Sequence, residues 1–163
     1  MSKYENGLFI FRRDLRVIDN KGLYLANDIC KHIYPIFIFT PEQVSINPLK
    51  SSHSVQFMIE SLQDLASQLS KNGGHLYTFY GHNEKVVADC IKAFDINIVC
   101  FNVDISPYAR ERDDKIIKLC EHLKTYVMYD HDYYLCNPNE VLNTSGQSYL
   151  KFTPYYDKVK KNA

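Results

Sequence analysis

Short apolar runs alternate along this chain with longer stretches in which apolar residues recur every three or four positions. Residues 8–11 are four consecutive apolar side chains, a run too short for a helix and typical of a strand buried on both faces of a parallel sheet. Similar runs follow at regular intervals. The pattern predicts five strands, at residues 8–11, 33–39, 76–80, 96–101 and 126–129.

Four helices are predicted between these strands. The first begins after Asn20 and the fourth after Ser106, because both side chains can cap a helix by accepting from its free N–H groups, and Pro107 suits a first helical position. The second helix covers about residues 54–69, and the third begins after Asn83. The core positions predicted on these helices are Leu23, Ala26, Cys30, Met58, Leu62, Leu65, Leu69, Val87, Cys90, Ile91, Phe94, Ile116, Cys120 and Leu123.

This alternation predicts an α/β fold: a doubly wound, five-stranded parallel sheet of Rossmann-like type in a single domain. Residues 1–136 carry the pattern, and residues 41–52 are predicted to be its one long loop. Residues 137–163 form a closing segment, in which the aromatic residues 149–156 are predicted to be extended because Pro154 interrupts them. The loops after the strands should line one crevice, where open α/β sheets bind ligands.

Charge and cysteine content narrow the classes of function. The 19 Lys and Arg residues balance the 19 Asp and Glu residues, which disfavours a general nucleic-acid binder, because phosphate contacts need a cationic surplus. Five cysteines without a CxxC pair indicate reduced thiols. The N-terminus has no apolar signal segment, and no apolar run approaches the roughly 20 residues that span a bilayer. We therefore expect an intracellular protein, cytoplasmic or nuclear, that is neither secreted nor in a membrane.

Several catalytic motifs are absent from the sequence. It contains neither GxGxxG nor GxxxxGK(S/T), so the dinucleotide fingerprint and the P-loop are missing, and it has no GxSxG nucleophile elbow. The six histidines are scattered without a zinc-site spacing. No catalytic residue and no metal ligand are predicted.

Four blocks of the sequence resemble the DNA photolyase/cryptochrome family. Two are specific: FRRDLR at residues 11–16 with the following Asp19, Asn20 and Leu23, and FNVDISPYA at residues 101–109 with Arg112 and Asp113. The other two are the helix at residues 57–69 with Gly74 and Gly81, and a closing block of His131, Asp132, Leu135, Pro138, Gly146 and residues 152–156. Their order and spacing match over nearly the whole chain.

The resemblance implies the N-terminal, antenna-chromophore domain of a family member. In the family this domain holds a light-harvesting chromophore, which is a folate, a deazaflavin or a flavin such as FMN. A separate C-terminal helical domain binds FAD, contacts flipped-out damaged DNA and performs the photochemistry of the deoxyribodipyrimidine photolyase (lyase) reaction. The chain ends where that domain would begin and has no tryptophan for the family's electron relay. We therefore expect it to be inactive alone and to partner an FAD-binding helical domain, in cis or as a separate chain, and to meet damaged DNA only through that domain.

The predicted chromophore-binding residues are Arg12, Phe37, Phe39, Thr40, Asn102, Asp104 and Tyr108. Arg12 can offer a planar guanidinium to a ring or an anion, aromatic faces can stack, and Asn102 and Asp104 can accept from ring N–H groups. This hypothesis requires Arg12, Thr40 and Asp104 to converge on one pocket. Two positions depart from the family's usual pattern: Thr40 stands where members often have an acidic residue, and residues 53–55 where members often have Arg.

Alternatives remain open at this stage. The charged residues could instead form an ion-pair network that fastens loops, made of Arg13, Asp14, Arg16, Asp104, Arg112 and Asp113. The chain could be the structural half of a split photolyase that docks on a separate flavin domain through residues 110–115 and 149–156. It could also be an adenine-nucleotide-binding regulatory domain of the same architecture.

Overall fold

Five strands and six helices make up the computed structural model, which describes residues 2–45, 51–134 and 136–162. The strands are Tyr4–Phe11 (β1), Cys30–Phe39 (β2), Tyr77–Tyr80 (β3), Ile98–Asn102 (β4) and Tyr126–Asp130 (β5). The helices are Lys21–Ile29 (α1), Pro41–Val44 (α2), Ser52–Lys71 (α3), Asn83–Ala93 (α4), Pro107–His122 (α5) and Phe152–Asn162 (α6), with a 3₁₀ turn at Pro138–Glu140. Leu135 of the closing block and residues 46–50 of the predicted loop lie outside the described residues.

The strands form one sheet in the order β3-β2-β1-β4-β5, and every neighbouring pair is parallel. This confirms the predicted fold class. The central strand β1 contains residues 8–11, which are at most 2% exposed. Because successive side chains point to opposite faces, Leu8 and Ile10 pack with α4 and α5, while Phe9 and Phe11 pack with α1 and α3. Helices thus cover both faces of the sheet.

The order of the strands reverses between β1 and β4, since the chain continues from β1 towards β2 and from β4 towards β5. Such a switch point opens a crevice at the carboxyl ends of the strands. The caps at this edge form as predicted: Asn20 Oδ1 accepts from Leu23 N at 3.1 Å to start α1, and Ser106 Oγ accepts from Ala109 N at 3.3 Å to start α5. The sequence signals thus position the two helices that flank the switch point.

Three local predictions are wrong. Residues 41–44 of the predicted loop form α2, in which Pro41 occupies the first turn. Residues 152–156 are not extended, because Pro154 is the third residue of α6, where a helix N–H has no intrahelical partner to lose. Cys30 is not on α1; it is the first residue of β2, which follows the helix directly.

The buried thiols behave as core residues. Cys30, Cys90, Cys100 and Cys120 are buried and free. Burial raises the pKa of Cys90 and Cys120 to about 11, and burial together with nearby Cys30 raises the pKa of Cys100 to about 12. Thiols that are buried and protonated are poor nucleophiles, so these four side chains serve packing.

Three of the predicted core positions on the helices are less buried than expected: Met58, Phe94 and Leu123 are only partly buried.

No helix in the described part of the chain is both long and apolar enough to cross a membrane.

Candidate functional site

A cavity of about 470 Å³ opens at the carboxyl edge of the sheet. The loops after β1 and β2, the β4–α5 loop, one side of α3 and the first residue of α4 form its wall. The lining residues are Ile10, Phe11, Arg12, Arg13, Leu15, Phe37, Ile38, Thr40, Gln43, Phe57, Met58, Ser61, Asn83, Asp104, Ser106, Tyr108, Ala109 and Arg112. Its volume lies within the roughly 300–1,000 Å³ range of small-molecule pockets.

Five of the seven predicted site residues line this cavity: Arg12, Phe37, Thr40, Asp104 and Tyr108. They come from three segments that are far apart in the sequence: the loop after β1, the end of β2 with its loop, and the β4–α5 loop with the first turn of α5. Arg12, Thr40 and Asp104 therefore converge on one pocket, which is the geometry that the chromophore hypothesis requires. Their binding of a ligand stays a prediction.

Arg12 is held firmly in the floor of the cavity. Its side chain is 7% exposed, its Nη1 lies 2.8 Å from Asp113 Oδ1, and Nη1 also donates to the Asn102 carbonyl at 3.2 Å. The guanidinium carbon lies 4.2 Å from the centre of the Phe101 ring, a cation–π contact. Burial and the neighbouring Arg112 lower the pKa of Arg12 to about 10, against the attraction of Asp113. Arg12 remains charged at neutral pH, in a setting that destabilises its charge.

Arg112 and Asp113 extend this arrangement along α5. Arg112 Nε donates to Asp113 Oδ1 at 2.9 Å, so the same carboxylate oxygen accepts from both arginines. Within the described residues, Arg12 Nη2, Arg112 Nη2 and Asp113 Oδ2 are buried without a hydrogen-bond partner. Buried polar atoms without partners are costly, and these three leave two unused donors on the arginines and one unused acceptor on Asp113.

Asp104 and Arg13 form a second ion pair at the mouth of the cavity. Arg13 Nη1 donates to Asp104 Oδ2 at 2.9 Å, with Arg13 exposed and Asp104 mostly covered. Burial raises the pKa of Asp104, but hydrogen bonds from the Arg13 side chain and from the backbone of Ser106 and Ile105 outweigh it and hold the pKa below its ordinary value. Asp104 is thus an ionised acceptor with a fixed orientation.

Apolar and aromatic side chains form another part of the wall, which also contains the polar residues Thr40, Gln43, Ser61, Asn83 and Ser106. Phe37 is buried, whereas Phe57 is 73% exposed and Tyr108 about half exposed. Ile38 and Met58 complete this side. An exposed phenylalanine gains little stability where it lies, so Phe57 offers a face on which a flat ring can stack.

Phe39 and Asn102 do not line the cavity. Phe39 packs edge-on against Phe37, with ring centres 5.0 Å apart. Asn102 is fully buried beside the switch point, where its Nδ2 donates to Asp14 Oδ2 at 2.6 Å and to Asn20 Oδ1 at 2.9 Å. Both predictions assumed that every residue at a strand end faces the crevice, but Phe39 packs against Phe37, and the Asn102 side chain is held in the hydrogen bonds to Asp14 and Asn20.

Polar side chains at the switch point form a connected network, which we call the switch-point network: the buried Asp14, Asn20 and Asn102, and the partly buried Asp132. Asp14 Oδ1 accepts from the backbone N–H of Arg12 at 2.9 Å, and Asp132 accepts from Arg16 Nη2 at 2.6 Å. Gly22 lies against this network, because a Cβ on Gly22 would collide with Asn102 Oδ1.

Ion pairs fasten loops at this edge, but the predicted network is only partly right: Arg13–Asp104 and Arg112–Asp113 form, Arg16 pairs with Asp132 instead, and Asp14 is in no ion pair within the described residues. Arg12–Asp113, Arg13–Asp104 and Arg16–Asp132 each join segments that are distant in the sequence. The ion-pair interpretation and the ligand-binding interpretation are compatible, since Arg12–Asp113 and Arg13–Asp104 also line or border the cavity.

Several lining residues were missed from the sequence, notably Gln43, Phe57, Ser61 and Asn83. A signal existed for Phe57. The apolar face of its helix begins at Met58, and Phe57 lies beside this face, so the pattern gave this large apolar side chain no place in the core. Gln43 and Asn83 follow β2 and β3, in loops that were expected to line the crevice, although neither was named as a site residue. For Ser61 no signal existed, because only the packing of α3 brings it to the pocket.

The donor set and shape of the cavity fit a flat aromatic ligand with an anionic or acceptor group. Spare guanidinium donors lie in its floor, an ionised acceptor stands at its mouth, and an exposed ring borders it. Polar groups that converge on a pocket beside apolar and aromatic side chains typically orient a bound small molecule.

Comparison with known proteins gives a consistent result. The sequence model of the DNA photolyase family matches residues 8–163. The chain is similar to the (6-4)DNA photolyase of Arabidopsis thaliana, at 29% identity over 93% of this chain and 30% of that protein, and to cryptochrome-1 of Aedes aegypti, at 33% identity over 86% of this chain and 27% of that protein. The chain therefore spans less than a third of the length of these relatives.

A solved structure is similar over almost the whole chain. It is the archaeal photolyase from Sulfolobus tokodaii, with a TM-score of 0.84 and 37% identity, covering 96% of this chain and 35% of that one. That crystal structure contains two FAD molecules and is described as implying a novel light-harvesting cofactor.

Proposed function

The chain belongs to the DNA photolyase family as its N-terminal α/β domain, and on this premise we propose that its cavity holds a light-harvesting chromophore. When bound, the chromophore would absorb near-ultraviolet or blue light and pass the energy to the FAD of a helical domain. Light-driven DNA repair by the whole protein is part of the same proposal, because this chain corresponds to a fraction of its relatives.

The observation that carries the proposal is the convergence of Arg12, Thr40 and Asp104 on one cavity of ligand size. Arg12 would place an acceptor of the ligand against the floor, and Asp104 would accept from an N–H at the ring edge. Phe57 and Tyr108 would cover the faces of the ring and exclude water. The rigid ion pairs of Arg12 and Asp104 hold both groups in position before the ligand arrives.

We propose a flavin as the chromophore. The Sulfolobus tokodaii photolyase, which is 37% identical to this chain, is described with two FAD molecules and a novel light-harvesting cofactor. The flavin nucleotides FMN and FAD have both features that the cavity suits: a flat ring with N–H and carbonyl edges, and an anionic side chain that carries phosphate. A folate or a deazaflavin remains an outcome of the test.

A docking role is a second candidate, compatible with the first. Leu150 is fully exposed and Phe152 is 75% exposed, beside the basic helix α6. Apolar side chains exposed next to each other mark interaction surfaces. We propose that residues 137–163 lead to the FAD-binding helical domain and contact it. The adenine-nucleotide hypothesis stays an untested prediction.

Titration of the purified chain tests the chromophore role. FMN, FAD, a reduced folate and a deazaflavin are added separately, and fluorescence and absorption changes give the Kd of each. Phe57→Ala should weaken the binding of the preferred compound roughly 2- to 10-fold, which is the effect of one lost aromatic contact. Because Phe57 is exposed, the free energy of unfolding should change by less than about 0.5 kcal/mol.

Ile59→Ala is the matched control, since Ile59 lies on the same helix but does not line the cavity. It should leave the Kd unchanged. A wild-type chain that binds none of the four compounds would overturn the chromophore role and leave the docking role as the function.

A further inference from the structure

One carboxylate serves two arginines in the floor of the cavity. Asp113 Oδ1 lies 2.8 Å from Arg12 Nη1 and 2.9 Å from Arg112 Nε, and Asp113 is 5% exposed. The cluster of Arg12, Arg112 and Asp113 therefore carries two positive charges and one negative charge. A net charge out of contact with water is unfavourable unless another group compensates it.

The donors of this cluster are only partly used. Nη2 of Arg12 and Nη2 of Arg112 are buried, and neither has a hydrogen-bond partner in the described ranges 2–45, 51–134 and 136–162. Both side chains line the cavity. Burial and the nearby Arg112 lower the pKa of Arg12 to about 10 even though Asp113 opposes this shift, so the carboxylate only partly compensates the positive charge.

The other charges around the cavity do not supply the missing anion. Asp104 is already paired with Arg13 at 2.9 Å. Glu42, Glu84 and Glu111 line a neighbouring space beside Arg112, but none of them forms an ion pair with Arg12 or Arg112 in the described part of the chain, and Glu111 pairs with Lys115. The N-terminal ends of two long helices border the same space, α4 through Asn83 and α5 through Ser106 and Tyr108. Helix N-termini carry partial positive charge and favour anions, which adds to the excess of the arginines.

We propose that the cluster of Arg12, Arg112 and Asp113 is an anion subsite, and that it selects ligands bearing a phosphate group over their uncharged counterparts. A tetrahedral phosphate presents several acceptor oxygens and can take one N–H from each arginine, whereas a single carbonyl cannot easily compensate the charge. This inference rests on the proposed function, because it assigns the chemical class of the ligand in the same cavity.

Comparison of FMN with riboflavin tests the inference, since the two share the flavin ring and differ by one phosphate. We expect the wild-type chain to bind FMN at least about 10-fold more tightly than riboflavin, which corresponds to about 1.4 kcal/mol. Arg112→Gln should reduce this ratio to below about 2-fold while leaving riboflavin affinity nearly unchanged. Arg110→Gln is the matched control, because Arg110 is an exposed arginine on the same helix, and it should keep the ratio.

Inorganic phosphate separates this inference from the proposed function. Phosphate should raise the Tm of the wild-type chain, and it should raise the Tm of Arg112→Gln by a smaller amount. If phosphate does so but no flavin, folate or deazaflavin binds, the subsite stands and the chromophore role falls. If FMN and riboflavin bind equally, or if the preference persists in a folded Arg112→Gln chain, the subsite is overturned and the chromophore role stands. If Arg112→Gln does not fold, the wild-type ratio decides.

Discussion

The switch-point network and the cavity lie at the same edge of the sheet, and both are built from charged and polar side chains that follow β1 and β4. They differ in how these side chains are paired. In the switch-point network Asp14 accepts from the Arg12 backbone, from Asn102 and from Tyr133, and it is 1% exposed. In the floor of the cavity, Arg12 and Arg112 share one carboxylate and each retains an unpartnered Nη2.

The difference shows that similar residues at one sheet edge can serve opposite purposes. Open α/β sheets commonly bind ligands at the switch point. Here buried side chains occupy the space directly between the ends of β1 and β4, and the cavity of about 470 Å³ lies beside them, lined by the ends of β1 and β2, by α3 and by the β4–α5 loop. A substitution in the network should therefore act on folding, and one in the cavity on binding.

The largest loss of stability is expected from Asp14→Ala. Removal of this buried carboxylate leaves the Arg12 N–H, Asn102 Nδ2 and the Tyr133 hydroxyl without their acceptor, and each such loss costs about 1–3 kcal/mol. We expect the free energy of unfolding to fall by at least about 3 kcal/mol, measured by urea unfolding.

Asp28→Ala is the control for this change, because Asp28 is exposed on α1. Its effect should remain within about 0.5 kcal/mol. Equal stability of the two variants would show that the switch-point network is not what holds β1 to β4.

Gly22→Ala should have an intermediate effect, about 1–3 kcal/mol, because the added Cβ collides with Asn102 Oδ1 and forces a shift in a packed region. The test is a double-mutant cycle with Asn102→Ala. Without the amide the collision disappears, and alanine should then be no worse than glycine in the first turn of α1. If Gly22→Ala lowered the free energy of unfolding equally in the wild-type chain and in Asn102→Ala, the role assigned to Asn102 would be contradicted.

The smallest effect on stability is expected at the cavity, from Asp104→Asn. The pKa of Asp104 lies below its ordinary value of 3.8 in the folded chain, so its stabilisation is fully present above about pH 4 and is lost as the pH falls through the folded pKa. Because Arg13 is exposed and solvent screens the pair, the difference from wild type should be only about 0.2–1 kcal/mol at pH 6.

Melting temperatures from pH 3 to pH 7 check this prediction. The difference in Tm between wild type and Asp104→Asn should be constant above pH 5 and should disappear at acidic pH. Asp114→Asn, at an exposed position of α5, should show no such difference. A Tm difference that increased as the pH fell would show that the folded chain disfavours the ionised form of Asp104, which would contradict this prediction.

Much of the fold could be predicted from local patterns. The run at residues 8–11 indicated a central strand, and Asn20 and Ser106 marked the starts of α1 and α5, since capping depends on residues only three positions apart. The same local logic failed at Pro154. Proline was taken to break regular structure, but its effect depends on its position in the helix, and in the first turn it is tolerated.

The candidate site was predictable only in part. Arg12, Thr40 and Asp104 could be placed at one edge because the carboxyl ends of parallel strands meet there. The sequence could not show which way each side chain turns from that edge. Asn102 faces the switch point, and Phe57 comes to the cavity from a helix.

The sequence by itself determined the order of strands and helices, the burial of β1 and the family to which the chain belongs, because these depend on spacing and on short motifs. Only the tertiary structure decided that Asp113 is shared by Arg12 and Arg112, that two donors remain without partners, and that the switch point is filled. The physical reason is that hydrogen bonds and charge compensation act over a few ångströms in space. Residues about 80–120 positions apart become neighbours only when the sheet and its helices have packed.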